Sequence, residues 1–393
     1  MTVNEMQQIV EETAANFIKT FVEPAAGEID EQETFPMSNM KEMGRLGLLG
    51  IPFPEEYEGL DQSFASYISF VRQLAGACAS TAMTVVAHTC LSGHPIHSFG
   101  SPLQKTVHLS RLATGEAIGA FALTESGSGS DMASMRTRAV EHDDHYVLNG
   151  SKTFITNANV ADIYLVAAST APDKKMLGLT VFILEKGMKG ISTSSKKERK
   201  LGMRGADMGE LIFQDVIIPK ENVVGRKNFG LEVLHETLAS ARMGMAAIAV
   251  GIAEEAQRHC LQYVKQRKQF DQYLYQFQTI KNMLADMEVN LNASRLLLER
   301  AVHLKDSGKP FAKEASEAKL FASETATRIT KDAVQIFGGY GYSRELPLER
   351  LFRDAKLTEI GDGTSEIQRL IIADELIKRR AKSSFNPVGG QKL

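Results

Sequence analysis

The sequence predicts an α+β chain of several domains: helical at the N-terminus, a compact β-barrel or sandwich in the centre, helical again to the end. Three observations carry this reading. Up to about residue 118, apolar side chains recur at three- and four-residue steps. From about 120 to 228 they gather into short runs bounded by turn residues. From about 229 onward, long segments of helical period return. The expected units are therefore 1–119, 120–228 and 229–393, and 393 residues is a length that two or three domains fill.

Each element follows from local pattern. Met6, Ile9, Val10, Phe17 and Phe21 fall on one helix face, and Pro24 is expected to stop that helix. The segment LGLLGIPFPEEYEG at 46–59 is punctuated by Gly and Pro, and Ala-, Ser- and Leu-rich helical spacing follows it. In HYVLNGSKTFIT, Asn149-Gly150 between two apolar runs predicts a hairpin turn. IYLVAA (163–168), LTVFIL (179–184) and GELIFQDVII (209–218) read as strands. No long helix separates them, so an antiparallel arrangement is expected rather than a parallel sheet. Helices are expected near 229–265, 278–305, 311–337 and 364–381.

Composition narrows the function. Lys+Arg 45 against Asp+Glu 48 leaves a net charge of −3, so no field draws nucleic acid or an anionic membrane. A hydrophobic fraction of 43% and a charged fraction of 24% are those of a soluble globular protein. No apolar run is long enough to span a bilayer, so stable membrane insertion is not expected. The acidic opening MTVNEMQQIVEETAANF has neither signal-peptide nor transit-peptide character, which points to the cytoplasm. Cys78, Cys90 and Cys260 have no zinc spacing and leave one over from any pair, in keeping with a reducing compartment. The nine histidines show no ligand spacing. The densest group, His88, His94 and His97, reads as packing, and no metal is expected. The Gly-rich stretch Gly127-Ser128-Gly129-Ser130-Asp131-Met132 lacks a third glycine and a βαβ context. Neither a Walker A lysine motif nor a G-x-S-x-G elbow occurs. A nicotinamide cofactor is not predicted.

Four segments concentrate small, polar and turn-forming residues: FALTESGSGSD (121–131), Phe154-Ile155-Thr156-Asn157, QIFGGYGYSRE (335–345) and TEIGDGTSEIQRL (358–370). Singly, each reads as a loop or helix cap; Thr364-Ser365-Glu366, for instance, suits a helix start. In this order, together with LGMRGADMGELIFQDVIIPKENVVG (201–225) and YVKQRKQF (263–270), they make the chain resemble the acyl-CoA dehydrogenase family from about residue 5 to 385.

The resemblance implies an N-terminal helical domain, a central β domain and a C-terminal four-helix bundle. It also implies FAD-dependent α,β-dehydrogenation of an acyl-CoA thioester, with electrons passed to electron-transferring flavoprotein. Abstraction of a weakly acidic α-hydrogen needs a positioned carboxylate and stabilisation of the developing enolate. The β-hydrogen leaves as hydride to the flavin N5. By resemblance, Phe121, Leu123, Thr124, Phe154 and Thr156 line the isoalloxazine ring. Arg267, Phe270, Gln278, Gln335, Gly338 and Gly339 serve the diphosphate and adenine end, some of them for a neighbouring subunit, which implies a homotetramer. Thr364 and Glu366 match further FAD contacts, and Ser130, Arg242 and Gly363 match substrate contacts.

Two departures matter. Where most members carry Tyr-Glu-Gly-Thr, with Glu as base, this chain reads Gly361-Asp362-Gly363-Thr364. The alternative base position, just before the helix arginine, holds Ala241, so Asp362 is the expected α-proton base. Ala239 replaces an Asp found in many members. Gly361 and the shorter Asp362 are expected to open space over Cα and Cβ, favouring alicyclic or branched acyl groups. The alternatives are a short-chain linear acyl-CoA dehydrogenase, with Leu91, His94 or Leu238 refilling that space, or a flavoprotein oxidase of the same fold.

Overall fold

The computed structural model describes residues 3–194 and 198–383, so the outer ends of the first and third expected units lie outside the described residues. Helix α1 (Val3–Phe17) runs through a π-helical turn (Ile18–Val22) into α2 (Glu23–Glu31), so Pro24 does not stop it. The wider turn places Pro24 in the first turn of α2, where its missing N–H breaks no hydrogen bond. Next come α3 (Met37–Arg45), α4 (Phe64–Ala77) and α5 (Ala79–Val86). A π-helical stretch (Ala87–Gly93) then leads into α6 (His94–Phe99). His88 is fully buried and bridges two units: its Nε2 lies 2.9 Å from the Leu112 carbonyl, and its Nδ1 accepts from the Gly119 N–H at 3.2 Å. Burial pulls its pKa down to about 4, so the ring stays neutral and suits that bridge.

The β unit comprises β1 (Gly119–Ala122), β2 (Arg138–Glu141), β3 (His145–Thr156), β4 (Ile163–Ser169), β5 (Leu179–Glu185), β6 (Ile191–Thr193), β7 (Met208–Pro219) and β8 (Val223–Val224). The strand order is β6-β7-β3-β2-β4-β5-β8, with β1 added against β4. Pairing is mainly antiparallel, as expected, but β1 and β2 both run parallel to β4. The uninterrupted apolar runs are explained by two covered faces. Ile163, Leu165 and Ala167 join the core shared with the helices, while Tyr164, Val166 and Ala168 join a separate core within the β unit.

The predicted hairpin at Asn149-Gly150 does not form; β3 passes straight through as a strand of 12 residues. The pair sits instead at a bulge in the β3–β7 ladder. Asn149 Nδ2 donates to Asp215 Oδ1 at 3.0 Å, and Gly150 adopts φ 143 so close to Thr137 that a Cβ would come within 2.6 Å of its Oγ1. Asn-Gly here serves a close approach of strands rather than a reversal.

The four expected C-terminal helices are α7 (Gly230–Gln266), α8 (Gln278–Asp306), α9 (Ala312–Phe337) and α11 (Ser365–Ser383). Between the last two lies α10 (Leu348–Ile360), which the apolar period did not single out. Two contacts weld this bundle to the N-terminal helices. Asp306 accepts the free N–H groups of Phe64 and Ala65 at the start of α4, at 3.0 and 3.1 Å. Arg353 on α10 meets Asp30 of α2 at 2.6 Å and Glu349 at 2.7 Å. Among the described residues, no helix is long and apolar enough to cross a membrane.

Candidate active site

A cavity of about 450 Å³ opens where the three units meet. Met83, Ala87 and Leu91 enter from the N-terminal helices. Phe121, Leu123, Thr124, Ser130, Phe154 and Thr156 enter from the β unit. Leu238 and Arg242 enter from α7, and Leu357 with residues 360–364 from the end of α10. Ten of the sequence-predicted residues therefore share one space: Phe121, Leu123, Thr124, Ser130, Phe154, Thr156, Arg242, Asp362, Gly363 and Thr364.

The loop between α10 and α11 aims Asp362. Asp362 has φ 53 and Gly363 φ 97, two consecutive left-handed residues that reverse the chain between the helices. Asp tolerates that conformation better than most side chains. Buried Gln368 reaches back to the Gly363 carbonyl at 2.8 Å, and the fully buried ammonium of Lys319 donates to the same oxygen at 2.7 Å. Thr364 caps α11 through its Oγ1, which accepts from the Ile367 N–H at 3.4 Å.

Asp362 is the only carboxylate among the described residues lining the cavity. Its Oδ2 is shut off from solvent without a hydrogen-bond partner. Burial pushes its pKa up, while Lys319 and then Arg242 pull it down. Burial likewise lowers Arg242 to about 10 and Lys319 to about 8, against the attraction of Asp362. Arg242 Nε is also buried without a partner. A proton acceptor thus lies within the electrostatic reach of two buried cations, an arrangement that can take up a proton and offset an anion formed beside it.

Ala241 and Ala239 are buried in helix α7, so neither supplies polarity to the cavity. Nor does Gly361 leave a hole: a Cβ placed there would meet Met245 Cε at 3.1 Å. Leu91 and Leu238 do line the cavity, whereas His94 turns to Glu236 and Lys305, its Nε2 lying 3.3 and 3.1 Å from them.

A second cavity is lined by Tyr263, Arg267, Leu274, Phe337, Gly338, Gly339 and Tyr340. Its predicted members are Arg267, Gly338 and Gly339. Phe270, 88% exposed, Gln278 and Gln335 lie on open surface, as does Glu366; the structure brings none of these four to either cavity within one chain.

These surfaces fit FAD. Phe154 lines the first cavity while 60% exposed, held at φ 56 by the second bulge of β3, and so offers a flat apolar ring to a flat ligand. At the second cavity, a Cβ on Gly338 or Gly339 would meet nothing within 4 Å, and Arg267 supplies a planar cation suited to a diphosphate.

Sequence reasoning missed Lys319, Gln368, Met245 and the buried Lys152–Glu125 pair, joined at 2.8 Å. One signal was available. Lys319 falls on the small-residue stripe of α9, four residues after Ala315 and three before Ala322, both buried, where a solvated lysine does not belong.

Fold and site together define a flavin-dependent oxidoreductase built from helical, β and helical units. Residues 4–116, 120–216 and 228–377 match, in order, the N-terminal, middle and C-terminal domains described for acyl-CoA dehydrogenases. The short-chain specific acyl-CoA dehydrogenase of Clostridium acetobutylicum is 45% identical over 372 residues, 95% of this chain and 98% of that protein. Butyryl-CoA dehydrogenase of Megasphaera elsdenii has the same fold, with a TM-score of 0.93 and 42% identity over 96% of this chain and 99% of that one. The FAD complex of PigA aligns with a TM-score of 0.91 and 30% identity over 95% of this chain and 98% of that one. The chain belongs to the acyl-CoA dehydrogenase family and is an FAD-dependent acyl-CoA dehydrogenase.

Proposed function

We propose that this enzyme converts a short linear acyl-CoA to its 2-enoyl-CoA, with Asp362 as the α-proton base. The observation that carries the reading is the lone cavity carboxylate, Asp362, aimed by a loop that Lys319 and Gln368 hold from behind. FAD, when bound, supplies the two-electron oxidant for the β-carbon. Asp362 takes the α-proton and keeps it, while Arg242 and Lys319 offset the charge that develops alongside. Leu91, Leu238 and Met83 exclude water from the apolar end of the cavity.

The bulky-substrate expectation loses the part of its basis that Gly361 supplied, because Met245 stands where that glycine was expected to leave room. The short-chain alternative gains support from the C. acetobutylicum and M. elsdenii relatives. We also place the diphosphate end of FAD at the second cavity, for a neighbouring copy of the chain, which makes the working unit a homotetramer of three-domain protomers bounded near 119 and 228. Electrons then leave to an electron-transferring flavoprotein in the cytoplasm.

Purified, FAD-loaded protein tests the substrate reading when kcat/KM is compared for butyryl-, hexanoyl-, isobutyryl- and cyclohexanecarboxyl-CoA under one acceptor. Butyryl-CoA should lead the two bulky substrates by tenfold or more, since each misplaced methylene costs about 1–3 kcal/mol. A bulky substrate in the lead would overturn it, and rapid reoxidation by O₂ would favour an oxidase. Arg267→Ala should release FAD without unfolding, because a charge-assisted diphosphate contact is lost. Full flavin content in that variant would remove Arg267 from the cofactor site.

A further inference from the structure

We propose that Met245 sets acyl specificity by occupying, through Gly361, the wall position that a side chain would otherwise take beside the reacting carbons. The proposal rests on the short-chain reading above and names the residue that produces it.

Three observations converge on Met245. Leu238, Arg242 and Met245 lie at i, i+4 and i+7 on α7, one helix face, and the first two line the cavity. Met245 is fully buried. Gly361 also lines the cavity, next to Asp362, and a Cβ built there would touch Met245 Cε first, at 3.1 Å. The next nearest atoms are the Leu357 carbonyl oxygen at 3.5 Å and Leu357 Cδ1 at 3.9 Å.

The backbone does not require glycine at 361. Its φ of −61 and ψ of 151 are open to any L residue. What crowds a side chain there is the end of one flexible methionine, which must give way to admit it. Met245 and Gly361 therefore form a volume pair: the helix supplies the atoms that the loop omits. Methionine fills such an irregular gap with little strain, since three rotatable bonds let its methyl follow the surface. A linear acyl group then meets a continuous wall next to Asp362, the Gly361 backbone with Met245 packed behind it, and a ring or branch at Cα or Cβ finds no room beyond that wall.

Removing the Met245 side chain should open a chamber joined to the cavity across Gly361, where no side chain closes it off. In Met245→Ala, the kcat/KM ratio of cyclohexanecarboxyl-CoA to butyryl-CoA should rise by about tenfold or more. Putting volume back from the other side, in Met245→Ala with Gly361→Val, should return the ratio toward that of the parent. Gly361→Val alone should depress turnover of every substrate, because its side chain collides with Met245, and the added Met245→Ala should relieve that loss. Such non-additivity is expected only of residues in contact.

A ratio that moves less than about threefold in Met245→Ala would overturn the proposal. Should that variant fold poorly, Met245→Val serves the same comparison, and failure of either methionine variant to relieve Gly361→Val overturns it equally. Butyryl-CoA bleaching of the parent's flavin is run alongside. If the parent is not bleached, the short-chain reading itself fails; if it is bleached and the ratios stay fixed, only the role of Met245 fails.

Discussion

Asp362→Asn should keep the fold, the FAD and acyl-CoA binding, and lower the rate of flavin reduction by about 10²–10⁴-fold, the usual worth of a positioned general base. The amide matches the carboxylate in shape but has no site that accepts a proton at neutral pH. Stopped-flow bleaching by butyryl-CoA measures the loss directly. The pH profile carries the same information. Burial raises the Asp362 pKa, and proton abstraction needs the ionised form. The parent's rate should therefore fall as pH drops through a value above the ordinary Asp range of about 3.9, and that limb should vanish in the asparagine variant. Near-native reduction in the variant would move the base elsewhere. The structure leaves few places for it: Glu125 is paired with Lys152, and Glu366 points outward in the first turn of α11.

The segments of this site stood out because their signals are local, although singly each read as a loop or helix cap and only their order, as a family resemblance, assigned the residues. An Asp-Gly pair just before a helical pattern, a run of small residues before β2, and a Gly-Gly pair ending α9 each leave a trace in a few consecutive residues. The three-unit plan was legible for the same reason, since period depends on near neighbours. Misreadings arose where distant residues decide. Asn149-Gly150 has the local chemistry of a turn, but the β3–β7 ladder and Thr137 hold it extended. Pro24 has the chemistry of a stop, but a π-helical turn absorbs it. Gly361 read as lost volume because Met245, more than a hundred residues earlier, cannot be placed beside it from the sequence. Lys152 went unread because only the folded β unit closes over it.

Glu125→Gln should destabilise the protein by about 3–5 kcal/mol and weaken flavin retention with it, although Glu125 does not line the cavity. Lys152 is fully buried, and its ammonium has two partners, Glu125 Oε1 and the Leu123 carbonyl, both at 2.8 Å. The same carboxylate accepts the N–H groups of Arg136 at 2.7 Å and Thr137 at 3.0 Å. Burial works against ionised Glu125, but Lys152 and these donors prevail and hold its pKa below the usual glutamate value. Burial lowers Lys152 to about 8 despite the pull of Glu125. One ion pair thus ties the 123–128 turn to β3 immediately before the bulge that presents Phe154, while the Thr153 N–H donates to the Thr124 carbonyl at 2.9 Å. Neutralising the carboxylate leaves a buried cation facing an amide, and the strand end carrying Phe154 and Thr156 loses its anchor to Leu123 and Thr124. Urea unfolding and flavin release on the variant measure both effects. The double variant Glu125→Leu with Lys152→Met should recover much of the lost stability, because no charge is then left unpaired. A Glu125→Gln protein with the parent's urea midpoint would show that Lys152 sheds its proton or finds water, and that hydrogen bonds other than this ion pair hold the strand end in place.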